Sequence, residues 1–406
     1  MKILQVNKYH YPRGGADRYY LDLGDRLEKM GHQVAYFSMQ HPNNLPSIWS
    51  KYFISRVSYN ENLRKYAWKI SGRTIYSLEA KRKFRRLLND FKPDVIHIHN
   101  IYHQISPSIL DVAAKHKIPI VMHAHDYKLV CPSHNMYVHG EICDNCIKEN
   151  YGACIKKRCV KDSFAASLLA STEMFIHHRI LKIYKKNITK IISPSLFLKT
   201  ILMEAGWPKN KIMVVNNCCS LKTEESPTDE INDYFLFNGR LSQEKGIDLI
   251  INAVINHPEL RLIIAGTGPD ALIYEKMANA IEAKDRIQFI GWQEEQALAK
   301  LILKAKAVLI PSRWYENFPL SALEAISLGT PVIASNRGGL PEIINDTNGL
   351  LITADDPELW AQAMLSVISG KKQWTKETIK ISAAKYSPDI NTNNIIQIYN
   401  SVINSQ

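Results

Sequence analysis

The sequence has no apolar run of about 18 residues or more, so no helical segment of it is expected to span a bilayer. It has no internal repeat and no Pro- or Gly-rich tract, which sets aside solenoids, fibrous rods and disordered tethers. It also lacks a complete G-x-G-x-x-G. The loop after the first apolar strand ends in Gly14-Gly15, a later turn reads Gly266-Thr267-Gly268, and the incomplete pattern argues against a nicotinamide enzyme. Acidic residues are in deficit, with 39 Asp and Glu against 51 Lys and Arg and a net charge of +12. Such a balance favours anionic partners: nucleotide phosphates, lipid head groups or nucleic acid. Nucleic acid ranks last, because no recognised nucleic-acid module accompanies the charge. Met1-Lys2 leads straight into the strand-like Ile3 to Val6, so no secretory signal peptide is expected. The expected location is cytoplasmic, in solution or on the inner face of the membrane. There the seven cysteines should not form disulfides.

A chain of 406 residues predicts two domains or more. The stretch on which the reading turns is Ala307 to Ser335, AVLIPSRWYENFPLSALEAISLGTPVIAS. Ala307 to Ile310 suits a buried strand. Asn317 is placed to cap a helix that Phe318 and Pro319 open, Gly329 to end it, and Val332 to Ala334 to form the next strand. Strand–helix–strand of this kind builds a parallel sheet. The helix start leaves N–H groups unpaired, at Leu320 and Ser321 for example, beside the positive end of the dipole, which suits phosphate. Glu316 before the helix and Glu324 within it stand where they could bond hydroxyls on either side of a bound anion. A sugar nucleotide has that layout; an exposed loop charge and a solvated helix face fit the spacing equally well.

Other polar clusters lie at strand ends. His123-Ala124-His125-Asp126 follows the strand Ile118 to Met122, where open parallel sheets bind ligands, although any one of these histidines is as readily a hydrogen-bonded loop residue. Arg240 and Lys245 share a glycine-bounded loop after Tyr234 to Phe237. They suit a diphosphate, Arg with paired bonds and Lys as a point charge, or simply make an ordinary basic loop.

Glu316-Asn-Phe-Pro-Leu-Ser-Ala-Leu-Glu324, with Gly329-Thr-Pro331 and Gly338-Gly339-Leu-Pro341-Glu342 after it, resembles the E-x7-E signature of family-four retaining glycosyltransferases. The resemblance implies an α/β chain of the GT-B class, two Rossmann-like domains with parallel sheets facing across a cleft. It implies that Glu316 contacts the donor sugar and Glu324 the ribose. G-R-x4-K-G resembles the family's phosphate clamp, giving Arg240 and Lys245 that role, and His125 matches a histidine near the reacting carbon. Gly15, Gly266, Gly291, Trp292, Asn317, Phe318, Leu320 and Ser321 become further donor-binding candidates, with a core position as the equal alternative for Trp292. The implied reaction moves a hexose from a UDP- or GDP-sugar to a hydroxyl of a glycan or lipid-linked oligosaccharide, with retention and without a required metal or cofactor. Polysaccharide biosynthesis at the cell surface is the implied setting. The rivals are a phosphorylase or synthase on a soluble sugar and a non-catalytic nucleotide-sugar or anionic-lipid binding module.

The implied division is 1–221 for the acceptor-side domain, 222–233 for a linker, 234–385 for the donor domain, and 386–406 for a helix returning to the first. Ser163 to Lys186 reads as one amphipathic helix that packs on the first sheet or, as the alternative, lies near a membrane. Lys81 to Arg86 and the aromatic-basic stretch Trp49 to Trp68 suit a solvated face or an anionic membrane surface. A Cys-rich insert spans about 131–160. Its Cys143, Cys146, Cys154 and Cys159 read first as reduced thiols, with structural zinc as the alternative, although the second pair lacks the usual short spacing.

Overall fold

The computed structural model describes residues 1–56, 72–219, 221, 232–279 and 284–405. Nearly all of the expected linker, and the Trp49–Trp68 stretch beyond residue 56, lie outside the described residues. The chain divides into two units, one of residues 1–136, 143–216 and 391–406, the other of 137–142 and 217–390.

The first unit is built on β1 (Lys2–Val6), β2 (Gln33–Phe37), β3 (Val95–Ile98) and β4 (Ile120–His123), interrupted by the short antiparallel pair β5 (Tyr137–Val138) and β6 (Glu141–Ile142), and then β7 (Lys190–Ser193) and β8 (Ile212–Val214). Its sheet is parallel throughout in the order β2-β1-β3-β4-β7-β8. The second unit carries β9 (Phe235–Asn238), β10 (Leu262–Ala265), β11 (Ile287–Gly291), β12 (Val308–Ile310), β13 (Val332–Ser335) and β14 (Gly349–Ile352), parallel in the order β11-β10-β9-β12-β13-β14.

Both faces of the second sheet are buried, which is why its strands read as unbroken apolar runs. Leu236, Val308, Ile310, Val332 and Ala334 pack to one face with Ala322, Leu323, Ala325 and Ile326 of the helix Leu320–Leu328. Phe235, Phe237, Leu309 and Ile333 pack to the other. The helix thus sits on the sheet through four apolar side chains, Leu323 and Ile326 contributing roughly 1.5–3 kcal/mol each by burial and the two alanines about 0.8 each.

Two local expectations are corrected. The helix after Glu316 begins at Leu320 with Pro319 at the cap position, so Asn317 is not its cap. Proline has no N–H to satisfy, and its fixed φ favours the extended turn that precedes a helix. Ser163 to Lys186 is not one helix. An α-helix Phe164–Phe175 passes into a π turn Ile176–Ile180, where the Leu181 N–H reaches back to the Ile176 carbonyl at 2.8 Å. Lys182 then adopts φ +49° and breaks the chain direction before Ile183–Asn187.

The terminal helix Pro388–Ile403 is tied into the first unit by side chains: Tyr19 donates to Asn391, Arg26 to Thr392, and the Tyr399 hydroxyl meets His97 at 2.6 Å.

Candidate active site

In the second unit the strand order reverses at β9, which has β10 on one side and β12 on the other. Loops leaving the carboxyl ends of strands at such a point diverge and leave a crevice, the usual ligand position in an open parallel sheet. The loop after β9 carries Arg240 and Lys245, and the loop after β12 carries Ser312, Trp314 and Glu316. The fold therefore joins two motifs about 70 residues apart in the chain.

Lys245 Nζ lies 2.6 Å from Glu316 Oε1, the Ser312 hydroxyl donates to the same oxygen at 2.6 Å, and the Lys245 ammonium stands 5.0 Å from the Trp314 ring centroid. Glu316 is 5% exposed. Burial alone would raise its carboxyl pKa, but Lys245 and Ser312 outweigh burial and hold it below the ordinary glutamate value, so the group is an ion at neutral pH.

Two glycine turns clamp this loop. Gly246 has φ +64°, and a Cβ there would lie 2.1 Å from the Pro311 carbonyl oxygen. Gly338 has φ +61°, its Cβ would meet the Glu316 carbonyl oxygen at 2.2 Å, and the Gly339 N–H donates to that oxygen at 2.6 Å. A side chain at either position would push the loop outward. Arg313 adds a two-pronged pair to Asp248, at 2.7 and 2.6 Å, which fixes the same loop to the helix Ile247–Asn256.

Glu324 is 4% exposed and accepts a hydrogen bond from Asn238 Nδ2 at 3.2 Å. A solvated helix face is thereby excluded for it. Leu320 and Ser321 open the helix, and no side chain caps its amino end. Arg240 is exposed and has no hydrogen bond or ion pair among the described residues. Gly266 and Gly291 meet at the ends of β10 and β11, where the Gly266 N–H donates to the Gly291 carbonyl at 2.8 Å; Trp292 beside them is 70% exposed, so it is not core. The Phe318 side chain faces away from this group. It is buried in the core against Tyr386, with ring centroids 5.5 Å apart. Asn317 is half-buried in the loop. A separate cavity of about 190 Å³, lined by Tyr234, Arg261, Arg286 and Gln288, lies at the opposite, amino ends of β9 to β11.

In the first unit the order reverses at β1, between β2 and β3. Gly15 starts the helix Gly15–Lys29 there and is exposed. Asn7, at the end of β1, donates to Asp17 of that helix at 2.8 Å. Residues two apart on a strand share a face. His97 and His99 at β3 therefore stand beside His123 and His125 at β4, and the four rings stack with adjacent centroids 4.2 to 5.1 Å apart. His125 Nε2 lies 2.8 Å from His99 Nδ1. Burial, then His123 and His97, keep the His125 pKa well below 6.5, so its ring is neutral.

His97, His99 and His123 offer nitrogens within 4.8 Å of one another. Two of those rings are already engaged, by Tyr399, Gln5 and His125, and the triad contains no carboxylate. A divalent ion there would carry its charge into a buried site without an anion. The thiols of the Cys-rich insert are unpaired. Cys146 and Cys154 pack with Tyr151 and Met174, and Lys157 lies 3.8 Å from the Cys143 sulfur.

Sequence reasoning missed Ser312, Asn238, Gln5 and His99, and it did not see that Lys245 and Glu316 are partners. The alternation in Pro93–His99 signals that His97 and His99 share a face, but not which ring would touch His125.

Two parallel-sheet units with the motif residues gathered at a carboxyl-end crevice define the GT-B class of glycosyltransferases. Residues 13–222, just over half of the chain, match the family described as Glycosyltransferase Family 4, and residues 221–384 match Glycosyl transferases group 1. The chain belongs to glycosyltransferase family 4. A 42.6 kDa uncharacterized protein of the Klebsiella pneumoniae cps region is 25% identical over 364 residues, covering 84% of this chain and 87% of that one. A 41.2 kDa uncharacterized protein of the same region is 30% identical over 237 residues, 54% of this chain and 63% of that one, so the match spans less than two thirds of that relative. The Anabaena protein Alr3699/HepE, solved in complex with UDP and glucose, shares the fold with a TM-score of 0.69 at 17% identity, over 99% of each chain.

Proposed function

We propose that the protein transfers a hexosyl group, with retention of anomeric configuration, from a UDP- or GDP-sugar to a hydroxyl of a glycan or lipid-linked oligosaccharide in cell-surface polysaccharide biosynthesis. The observation that carries this reading is the buried, ionised Glu316 held by Lys245 at the carboxyl-end crevice. HepE's complex with UDP and the cps-region relatives support the donor class and the setting.

The diphosphate binds at the amino end of the helix Leu320–Leu328, with Arg240 closing on it and Lys245 shared between it and Glu316. That positive field stabilises charge on the leaving diphosphate and takes the place of a metal. Glu316 and His125 hold the sugar, Glu324 holds the ribose, and the departing phosphate oxygen takes the acceptor proton on the face the leaving group vacates. The atoms balance: the C1–O bond to phosphate breaks, the C1–O bond to the acceptor forms, and the proton leaves on the nucleoside diphosphate.

The acceptor side includes a membrane surface of anionic lipid. Phe164, Leu168 and Phe175 of the helix Phe164–Phe175, Ile180 of the π turn after it and Leu181 at its end are exposed. Exposed Lys156, Arg158, Lys161, Arg179, Lys182 and Lys186 flank them in the chain. Apolar anchors among cations suit anionic head groups. The helix Leu78–Phe91, by contrast, buries Phe84, Leu87, Leu88 and Phe91, so Lys81 to Arg86 are the solvated face of an ordinary amphipathic helix.

Thermal shift with UDP, GDP and ADP and their sugars, without metal, tests the donor site. One nucleotide should raise Tm selectively, and Arg240→Ala should remove the shift. No response from folded protein would sink the donor assignment. Binding without product across lipid-linked acceptors would instead make the chain a binding module. Flotation with phosphatidylglycerol vesicles tests the surface; unchanged recovery of Leu168→Ser/Phe175→Ser would remove it.

A further inference from the structure

His99 is fully buried and uses both ring nitrogens. Its Nε2 lies 2.7 Å from Gln5 Oε1, and its Nδ1 lies 2.8 Å from His125 Nε2. Burial keeps both histidines neutral, so each ring has one N–H and one lone pair. The protons can then be assigned by elimination. With the Gln5 carboxamide oxygen turned toward His99, that oxygen only accepts, so His99 Nε2 carries the hydrogen and donates to Gln5. His99 Nδ1 is left with a lone pair, and His125 Nε2 must be the N–H that donates to it. His125 Nδ1 is then bare.

We infer that Gln5 and His99 are positioning residues that fix the tautomer of His125, so that its Nδ1 faces the reaction as a hydrogen-bond acceptor. The geometry carries this: three side chains from β1, β3 and the β4 end stand in one line of hydrogen bonds, and no other bond of His125 competes among the described residues. His123 stacks on the His125 ring with centroids 4.2 Å apart and planes 3° from parallel, and the Tyr19 ring meets it edge-on at 5.5 Å, which hold its plane. With the opposite tautomer, His125 would set lone pair against lone pair at His99, or His99 would set N–H against N–H. An acceptor at Nδ1 selects a hydroxyl of the sugar or of the incoming acceptor and rejects a carbonyl or a phosphate oxygen at that point. This consequence rests on the proposed role of His125; the tautomer itself does not.

The test is long-range proton–nitrogen correlation NMR on histidine-labelled full-length protein, with the His125 signals identified by their loss in His125→Asn. The expected result is His125 protonated at Nε2 and bare at Nδ1 in the wild type, unchanged in Tyr19→Phe. Gln5→Leu should give mixed or reversed tautomers and a kcat lower by roughly tenfold, with little change in donor KM. Wild-type His125 protonated at Nδ1, or a Gln5→Leu spectrum identical to the wild type, would overturn the inference. The expected tautomer together with full turnover by His125→Asn would uphold the relay and remove His125 from the proposed reaction.

Discussion

Lys245 Nζ lies 2.6 Å from Glu316 Oε1, so the cation of one sequence motif and the leading carboxylate of the other are a single ion pair. Neither can be changed without altering the electrostatics of its partner. In Lys245→Met, Glu316 is left buried as an uncompensated anion at a cost of about 3 kcal/mol, whereas Glu316→Gln keeps the shape and costs about 1 kcal/mol. Urea unfolding should rank them in that order. Both should lose turnover by roughly a hundredfold or more, and wild-type activity in Glu316→Gln would remove it from the site.

The pair also sets a pH dependence. The folded-state pKa of Glu316 is depressed, so its contribution is complete above the unfolded value of 4.5 and is lost as pH falls through the lower folded value. Acid titration of Tm should show the wild type losing more than Glu316→Gln as pH falls below 4.5. Parallel curves would contradict the assignment.

Gly338→Ala should be more damaging than Gly31→Ala, although both residues have positive φ, +61° and +83°. The added methyl at Gly31 meets nothing within 4 Å, whereas at Gly338 it collides with the Glu316 backbone. The expected stability losses are about 1 kcal/mol at Gly31 and several at Gly338, with activity lost only at Gly338. Equal effects would show that strain alone, not the close approach, governs the turn.

Lys128 and Glu173 form a second buried pair at 2.6 Å, with side chains 2% and 1% exposed. Lys128→Met should destabilise by about 3–5 kcal/mol, and adding Glu173→Leu should recover much of that, because the stranded charge then disappears. A double variant no better than the single one would mean that His177, 3.1 Å from Glu173, or the Pro132 carbonyl carries the network instead.

No disulfide joins any of the seven cysteines, so thiol titration in denaturant without reductant should return seven. If instead one zinc per chain is found and Cys143→Ser releases it, the insert is a metal site.

Much of this protein is written locally. Periodic apolar runs bounded by glycine and proline set the parallel strands and the helices between them, because burial on both faces of a sheet leaves an unmistakable pattern. The E-x7-E spacing and the loop of Arg240 and Lys245 are legible for the same reason, since short-range geometry decides which groups a helix start presents. Other features were invisible in the linear chain. Lys245 meets Glu316 only because β9 and β12 are neighbours across a reversal of strand order, and pairing between distant strands leaves no local mark. Gln5, His99 and His125 come from three strands and are aligned by sheet register alone. The break at Lys182 went unseen because its sequence is helical by periodicity, and only the π turn and the packing beneath it redirect the chain. The sequence by itself determined most of the strands and helices and where the motif residues lie along them; the tertiary structure decided which charges face one another and where each proton resides, because those depend on burial and on neighbours that sequence spacing does not encode.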